Sequence, residues 1–309
     1  MSVIKSNKTK ILFLIGAILI IVLSALITFN PFKVIPSWDE IFNFIGLSDI
    51  SSKANGYSMS VHYLDVGKAD AILIECDSKN ILIDSGNVDP DNKVVEYLKK
   101  RHINNLDLVI ATHPDKDHIG GMSNIIYEFE INHFMMPQIP EEVTPKSSVY
   151  ESMIYALNSN GISVDNTVSG ESFEIGGAQA LIVAPVKMRD DTNNNSIVLK
   201  LTYGNDSFLF TGDAQADEEA DILKSGYDIQ STVLKVGHHG SKTSTTESFL
   251  ESVRPEYAVI SVGEDDNNLP KKVILDRLSK NGVRFYRTDL NGTIVIATNG
   301  DGINIFTQK

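Results

Sequence analysis

Two histidines and two aspartates occur within six consecutive residues of this chain, from His113 to His118. They follow the apolar residues 106–110, where leucine and β-branched residues continue without helical spacing and predict a buried strand. Alternate side chains of an extended loop point to the same side, so His113, Asp115 and Asp117 can converge on one point. The two glycines that follow permit a sharp turn into a predicted helix. A chain with this loop has to fold so that further ligands reach the same strand end.

Two simpler interpretations apply to this loop when it is considered alone. A solvated turn is the first, because His, Pro, Asp and Lys are all common in loops. A calcium loop of the EF-hand type is the second, because Asp115, Asp117 and Gly120 match its opening residues. The EF-hand interpretation fails, because Ile119 and Ile126 occupy positions where that loop needs oxygen ligands.

Two later strand ends supply the ligands that a two-metal hydrolase site would require. Residues 207–211 predict a short apolar strand that leads to Asp213. Residues 232–236 predict another strand, which leads to His238 and His239 between two glycines. Three separate strand ends therefore deliver histidine or aspartate, and this coincidence favours a dinuclear metal site over a solvated turn.

These motifs together resemble the metallo-β-lactamase superfamily, whose signature H-x-H-x-D-H is followed by a later Asp and His. In this chain Asp115 takes the place of the second histidine. That variant, with the motifs at residues 64–67 and 237–244, resembles the hydrolase domain of the ComEC-type competence family over about residues 58–306. The resemblance implies an α/β fold, the αβ/βα four-layer sandwich, with the metals between the sheet edges.

The resemblance also assigns the metal ligands. It gives the first metal to His113 and Asp115 and the second metal to Asp117 and His118. Asp213 would bridge the two ions. Asp117 is expected to be a catalytic residue as well as a ligand.

Further residues receive roles around these ligands. One of His238 and His239 would complete the second site; we favour His238 as the ligand, with His239 as a catalytic residue facing the substrate. Lys242, in the hydroxyl-rich loop that follows, is expected to be a catalytic residue with donors suited to a phosphate. Helix capping is the alternative use of Ser244 and Thr245 in the same loop. Asp84 would contact a ligand from behind the metal loop. Asn195, or its neighbour Asn194, would lie where the first site lacks a third histidine; an ordinary Asn-rich turn is the alternative.

The oxygen-rich first site shifts the expected metals from zinc towards manganese or magnesium, with zinc as an alternative. Two such ions, roughly 3.5–4 Å apart, lower the pKa of a water molecule and stabilise the attacking and leaving oxygens. They also neutralise phosphate charge, so phosphodiester hydrolysis fits best and needs no serine or cysteine nucleophile. Asp115 argues against β-lactam hydrolysis. The sequence contains neither a P-loop nor a dinucleotide motif, and we expect no nucleotide cofactor.

The resemblance implies single-stranded DNA as the substrate, and two features of the chain bear on that expectation. Lys68 and Ala69 replace Gln and Gly of the family motif Asp-Val-Gly-Gln-Gly-Asp, which changes the contacts available to this turn. The formal net charge of −13 opposes DNA binding through bulk electrostatics. A smaller phosphodiester, such as a phosphorylcholine group of a cell-wall polymer, is an alternative substrate. A metal-stabilised surface module that binds without turnover is an alternative of another class.

An uncharged and mostly apolar segment of 19 residues, 11–29, precedes these motifs and is long enough to span a bilayer. Lysines and no acidic residue precede it, which predicts a cytoplasmic N-terminus and a domain outside the cell. A cleaved signal peptide is the alternative. We expect a single-pass cell-membrane protein with a cytoplasmic N-terminus (1–10), a transmembrane signal anchor (11–29), a linker (30–57) and an extracellular hydrolase domain (58–309).

Overall fold

The computed structural model describes residues 16–28, 50–264 and 268–309. The chain divides into two compact units, one up to Asp49 and one from Ile50 to Lys309. In the first unit, residues 16–28 form a helix. Among the described residues, no helix combines the length and the apolar character needed to cross a membrane. The rest of the expected anchor and most of the predicted linker lie outside the described residues.

The second unit is built from short strands and helices that alternate along the chain. The strands are β1 Met59–Tyr63, β2 Ile72–Cys76, β3 Lys79–Ile83, β4 Asn105–Leu106, β5 Leu108–Ile110, β6 Glu130–Ile131, β7 Phe134–Met135, β8 Val164–Asp165, β9 Ser172–Ile175, β10 Ala178–Ala184, β11 Val198–Tyr203, β12 Asp206–Phe210, β13 Val233–Lys235, β14 Tyr257–Ile260, β15 Arg284–Arg287, β16 Ile294–Thr298 and β17 Ile303–Thr307. The α-helices are α1 Lys93–Lys100, α2 Lys116–Ile119, α3 Met122–Glu128, α4 Ser148–Ser159, α5 Ala216–Ser225, α6 Glu247–Val253, α7 Lys272–Lys280 and α8 Thr288–Asn291. Four 3₁₀ turns cover Ile50–Ala54, Glu141–Val143, Asn193–Asn195 and Gly237–Gly240.

Most of these strands form two mixed sheets. The first sheet has the order β17-β16-β1-β2-β3-β5-β7-β8, and the second has the order β15-β14-β13-β12-β11-β10-β9. Each sheet is antiparallel on one side and parallel on the other; the change occurs between β3 and β5 in the first sheet and between β12 and β13 in the second. Parallel strands end at the same sheet edge, so loops that follow them meet there.

Alternating side chains place one apolar core between the sheets and one outside each of them. Met59, Val61 and Tyr63 of β1 face Phe208 and Phe210 of β12 in the central core. The other face of the first sheet packs on α1, α3 and α4. The outer face of the second sheet packs on α5, α6 and α7. The result is a four-layer αβ/βα sandwich, as predicted.

The strand predicted over residues 106–110 is interrupted in the structure. Asp107 separates β4 from β5, and its carboxylate accepts hydrogen bonds from Lys79 Nζ at 2.8 Å and from the Asn80 backbone N at 3.0 Å. β5 pairs in parallel with β3 and β7 and ends at Ile110, directly before the loop that contains the candidate ligands.

Candidate metal centre

The loop after β5 is held against residues 84–88 by very close backbone contact. A side chain at Gly120 would place its Cβ 2.2 Å from the Val88 backbone N, and one at Gly121 would lie 2.6 Å from Ser85 O. Their φ angles are −58° and −91°, in the ordinary right-handed region. The chain does turn here into the helix predicted from Met122, but an unusual φ is not the reason for the glycines. They are required because two backbone segments touch.

Six potential ligands meet at the common edge of the two sheets. His118 Nε2 lies 3.3 Å from Asp213 Oδ1, and His113 Nε2 lies 4.0 Å from Asp213 Oδ2. His239 Nε2 is 3.7 Å from both Asp117 Oδ2 and Asp213 Oδ2. Asp213 is thus central to the group. We call the set His113, Asp115, Asp117, His118, Asp213 and His239 the cluster.

The imidazole nitrogens that point into the cluster lack hydrogen-bond partners among the described residues. Four buried atoms have no such partner: His113 Nε2, His118 Nε2, His239 Nε2 and Asp213 Oδ1. Buried polar atoms are ordinarily satisfied, because an unsatisfied one costs free energy comparable to a lost hydrogen bond. Imidazole nitrogens and carboxylate oxygens are also common metal ligands. The donor set therefore fits divalent cations, and three or more of these atoms lie within 4.8 Å of one another in two overlapping groups.

The opposite nitrogen of each ring is fixed by a hydrogen bond that also sets its tautomer. His118 Nδ1 donates to Asp84 Oδ2 at 2.7 Å, and His239 Nδ1 donates to Ser261 O at 2.9 Å. The Thr112 hydroxyl donates to Asp84 at 2.7 Å, so its oxygen accepts from His113 Nδ1 at 3.2 Å. In the neutral rings the lone pair is then on Nε2, the atom that faces the cluster.

The electrostatics of the metal-free cluster are dominated by burial and by the carboxylates. Burial, with the neighbouring His118, holds the pKa of His113 well below its usual value. Burial by itself would lower the pKa of His118. The negative charges of Asp213 and Asp84 have the larger effect and raise the pKa of His118 well above its usual value. Burial opposes ionisation of Asp213, yet His118 and His239 hold the pKa of that carboxyl well below its usual range. In the metal-free cluster these shifts favour the charged forms of His118 and Asp213, so cation binding is coupled to loss of a proton from His118.

Three of the residues at the centre have left-handed backbone conformations that are uncommon for residues other than glycine. Asp84 has φ 59°, His238 has φ 49° and His239 has φ 52°. Such conformations cost about 1–3 kcal/mol each and persist where the surrounding structure enforces them. Two consecutive left-handed residues turn the histidine pair so that one ring is buried and the other lies at the surface.

Comparison with known proteins agrees with this geometry. A family model described as the metallo-beta-lactamase superfamily matches residues 64–264. The chain belongs to this superfamily. ComE operon protein 3 of Bacillus subtilis is 29% identical over 256 residues, which cover 76% of this chain and 32% of that protein. Recombination protein 2 of Haemophilus influenzae is 32% identical over 242 residues, which cover 76% of this chain and 28% of that protein.

The chain thus spans about a third of the length of the curated relatives it matches. Among solved structures, the diiron β-hydroxylase CmlA of Streptomyces venezuelae aligns with a TM-score of 0.51 at 11% identity, over 79% of this chain and 55% of that one. At this identity the likeness concerns the fold alone. The predicted superfamily and its similarity to ComEC-type competence proteins are confirmed.

Some residues predicted for this superfamily site lie at its margin. Asp115 Oδ2 is 3.9 Å from His113 Nε2, while its Oδ1 accepts a hydrogen bond from the Thr192 hydroxyl at 2.8 Å; its side chain is 41% exposed. His238, favoured over its neighbour as a ligand, is 22% exposed, with Nε2 3.6 Å from Asp213 Oδ2. His239, expected to face the substrate, is fully buried in the cluster.

Two other predicted residues do not reach the cluster. The Asn195 amide binds the backbone of its own loop: Oδ1 accepts from Arg189 N at 2.7 Å, and Nδ2 donates to Arg189 O and Asp191 O. The polar atoms of Asn195 are thus used in closing this loop, as the alternative of an Asn-rich turn predicts. The next residue, Ser196, instead accepts a hydrogen bond from Asp213 N at 3.1 Å. Lys242 is exposed, and no contact between described residues joins it to the cluster.

Three charged residues at the site were not predicted. The Lys68 ammonium contacts Asp117 Oδ2 at the surface of the cluster. Behind the cluster, Lys235 Nζ lies 2.7 Å from Asp70 Oδ2, and both side chains are buried. Asp70 also lies 3.9 Å from His118 Nδ1 and 3.9 Å from His239 Nδ1. A lysine within an apolar strand was the available signal for Lys235, because a buried charge requires a partner.

Proposed function

We propose that this chain is a metal-dependent phosphodiesterase with single-stranded DNA as its substrate. The observation that carries the proposal is the convergence of three buried imidazole nitrogens and a carboxylate oxygen without other partners. Two relatives are named as a competence protein and a recombination protein, which supports DNA as the substrate. Membership in the superfamily supports metal-dependent hydrolysis.

We assign His113 and Asp115 to one ion and Asp117, His118 and His239 to the other. Asp213 is assigned to both, because its carboxylate oxygens lie 4.0 Å from His113 Nε2, 3.3 Å from His118 Nε2 and 3.7 Å from His239 Nε2. Manganese, zinc and magnesium are the candidates. When bound, such ions supply Lewis acidity toward a phosphoryl oxygen and lower the pKa of water. The protein residues fix the ligand rings through Asp84, Thr112 and Ser261 and exclude solvent from the inner ligands.

The histidine pair then divides between two tasks. His239, buried and anchored by Ser261 O, is assigned as the ligand. His238 is partly exposed, with Nε2 3.6 Å from Asp213 Oδ2 and Nδ1 3.3 Å from the Thr243 hydroxyl, and we assign it to contact the substrate. We expect His239→Ala to lose about one of two metals per chain, and His238→Ala to keep both while losing turnover. Metal analysis of the two variants decides between the assignments, since the reverse result would restore His238 as the ligand.

The main experiment uses the full-length chain in detergent, stripped of metal and reloaded with manganese, zinc or magnesium. Cleavage of labelled single-stranded DNA and of bis-p-nitrophenyl phosphate is followed, with Asp117→Ala as the inactive control. We expect both substrates to be cleaved by the wild type and neither by the variant. Hydrolysis of neither substrate with metal bound would overturn the proposal and favour a binding module without turnover.

A small or cell-wall phosphodiester is the second candidate substrate. The net charge of −13 favours it, because an acidic protein does not attract polymeric nucleic acid through its overall field. Cleavage of the small ester without cleavage of DNA would support this candidate, and a phosphorylcholine ester would then be the next substrate to test.

The membrane-anchored, extracellular location is a separate proposal. It is supported by the 19 uncharged residues 11–29 and the lysines that precede them. Protease added to intact cells is expected to digest the domain, and detergent is expected to be needed for its release. A protease-resistant protein in intact cells would contradict the orientation.

A further inference from the structure

A cavity of about 200 Å³ lies between the loop after β3 and the first turns of α1 and α3. We call it the side pocket. Its inner wall is apolar and its outer wall carries amides: Val66, Val95 and Ile125 line the inside, and Asn87, Asn92 and Asn124 line the outside. Pockets for drug-sized ligands measure roughly 300–1,000 Å³, so the side pocket is suited to one small ring system.

The side pocket is built on residues that bond directly to the metal ligands. Ser85, in its lining, donates its backbone N–H to His118 O at 2.7 Å. Asn87 Nδ2 donates to Lys68 O at 3.3 Å, and the Lys68 ammonium contacts Asp117. A group in the side pocket is therefore close to whatever the metals hold, and one extended substrate can occupy both places.

Each asparagine of the side pocket uses one polar atom within the protein. Asn124 Nδ2 donates to Asn92 Oδ1 at 2.6 Å, and Asn87 uses its Nδ2 in the bond to the Lys68 backbone. No contact between described residues uses Asn92 Nδ2, Asn124 Oδ1 or Asn87 Oδ1. The side pocket thus offers one donor and two acceptors next to an apolar wall. Proteins read the edge of an unpaired nucleobase with this combination of groups.

The charges of the side pocket favour a neutral group over a phosphate. Among the described residues that line it, Asp89 and Lys93 are the charged ones, and their charges cancel. The Asp89 carboxylate accepts from Asp91 N at 3.0 Å and from Lys93 N at 3.2 Å, which holds it in the loop. Phosphate sites need an excess of positive charge or of donors. A nucleic acid would therefore place a base, and not its backbone, in the side pocket.

Val88 adds an apolar surface that the protein itself leaves uncovered. It lines the side pocket and is 65% exposed. Its backbone is fixed, because a Cβ on Gly120 would lie 2.2 Å from Val88 N. A base bound against Val88 would remove this apolar area from water.

We propose that the side pocket binds one nucleobase of the substrate, next to the phosphodiester that the metal centre holds. This inference rests on the proposed function. It makes Asn92 and Asn124 specificity-determining residues, because a phosphodiester without a base cannot use their free atoms. Such contacts do not depend on the overall field of the protein, so they allow a chain with a net charge of −13 to select DNA.

The test uses the full-length chain loaded with manganese and compares ligands with and without a base. The probes are the four deoxynucleoside monophosphates and deoxyribose 5-phosphate, and calorimetry measures their affinities. Asn124→Ala removes an amide at an exposed helical position, and Asn92→Gly removes one while keeping the left-handed backbone of φ 48°. Asn158→Ala, at an exposed position of α4 outside the side pocket, is the matched control.

The wild type is expected to bind at least one monophosphate about tenfold more tightly than deoxyribose 5-phosphate, because the base adds hydrogen bonds and buried apolar area. Asn124→Ala and Asn92→Gly each reduce this ratio by about 3- to 10-fold and leave the affinity for deoxyribose 5-phosphate unchanged. Asn158→Ala leaves the ratio unchanged. Equal affinity of the wild type for all five probes would overturn the inference, as would variants that weaken both kinds of probe alike.

Single-stranded DNA with one abasic residue separates this inference from the proposed function. An abasic residue beside the cleaved bond is expected to raise KM about tenfold, and Asn124→Ala adds little to that loss because both changes remove the same contact. If the wild type cleaves DNA but neither abasic residues nor base-free probes differ, the inference fails and the phosphodiesterase stands. If the wild type cleaves no phosphodiester but Asn124→Ala abolishes a preference for base-containing probes, the proposed function fails and the nucleobase site stands.

Discussion

The inner side of the metal centre, formed by His118, His239 and Asp213, is buried, and each of its imidazoles is anchored through Nδ1. The outer side, formed by Asp115, His238 and Lys68, has side chains that are 41%, 22% and 24% exposed. The inner ligands hold their geometry without metal, because carboxylate and carbonyl acceptors are already in place. The outer residues retain freedom to respond to a substrate. The difference separates the buried part of the site from the part that is accessible to solvent and to a substrate.

The largest effect is expected from Asp213→Asn, because Asp213 is the residue that both ligand groups share. The neutral amide cannot offset two cations, so we expect loss of at least one metal and roughly a thousandfold loss of phosphodiesterase activity. Metal analysis and rates at saturating manganese measure both. Asp115→Asn, on the outer side, is the comparison, and an equal loss in both variants would remove the distinction between the two sides.

A large stability effect is expected from Lys235→Met. The change leaves the buried Asp70 carboxylate without its partner at 2.7 Å, and breaking a buried ion pair costs about 3–5 kcal/mol in the free energy of unfolding. Urea denaturation measures the change. The double variant Asp70→Asn, Lys235→Met removes both charges and is expected to recover much of the loss. No recovery would show that Lys235 acts through something other than this pair.

Asp84→Asn tests how far the anchoring of the inner rings matters. Asp84 accepts hydrogen bonds from His118 Nδ1, Thr112 N and the Thr112 hydroxyl. Loss of such a partner typically lowers metal affinity about 10- to 100-fold, and we expect a change in that range. Calorimetric titration with manganese or zinc measures it, and Asp107→Asn, in a carboxylate remote from the cluster, is the control. Unchanged affinity in Asp84→Asn would show that packing alone holds the ring.

The smallest expected effect is a pH dependence of metal binding. The pKa of His118 is raised in the metal-free protein because Asp213 and Asp84 outweigh the opposing effect of burial. Below that pKa the ring carries a proton that metal binding must release, so apparent affinity falls by about tenfold per unit of acidification. Above it the dependence levels off. Calorimetry in two buffers of different ionisation enthalpy counts the protons released on metal binding. A count of zero at neutral pH would contradict the expected release of a proton from His118.

The positions of the ligands along the chain could be predicted because they follow a simple rule. Each is at the end of an apolar strand, and the sheet brings such ends together whatever the details of packing. Asp213 and the histidine pair were found in this way. The superfamily and its layered sandwich followed from the same motifs.

The remaining features depend on contacts between distant residues or on unusual backbone conformation. The pairing of Asp70 with Lys235 joins the loop between β1 and β2 to strand β13 of the other sheet, and neither residue indicates the other. The alternation of side chains along an extended chain could not show which of His238 and His239 is buried, because both residues have left-handed backbone conformations. Asn195 was expected at the site from its position, but its amide is used by the loop backbone. In each case the residue type was correctly recognised as polar, but its contacts depend on residues that are distant in the sequence or on backbone conformation.

The buried Lys235–Asp70 pair bears on whether the chain folds before or after it binds metal. A site that carries carboxylates without internal cations would repel itself until metal arrived, and the chain would depend on metal to complete folding. Here Lys235 offsets Asp70, Lys68 contacts Asp117, and Asp213 lies 3.3 Å from His118, whose pKa is raised. We therefore expect the metal-free chain to fold completely and to acquire its ions afterwards, from whatever supply its surroundings offer.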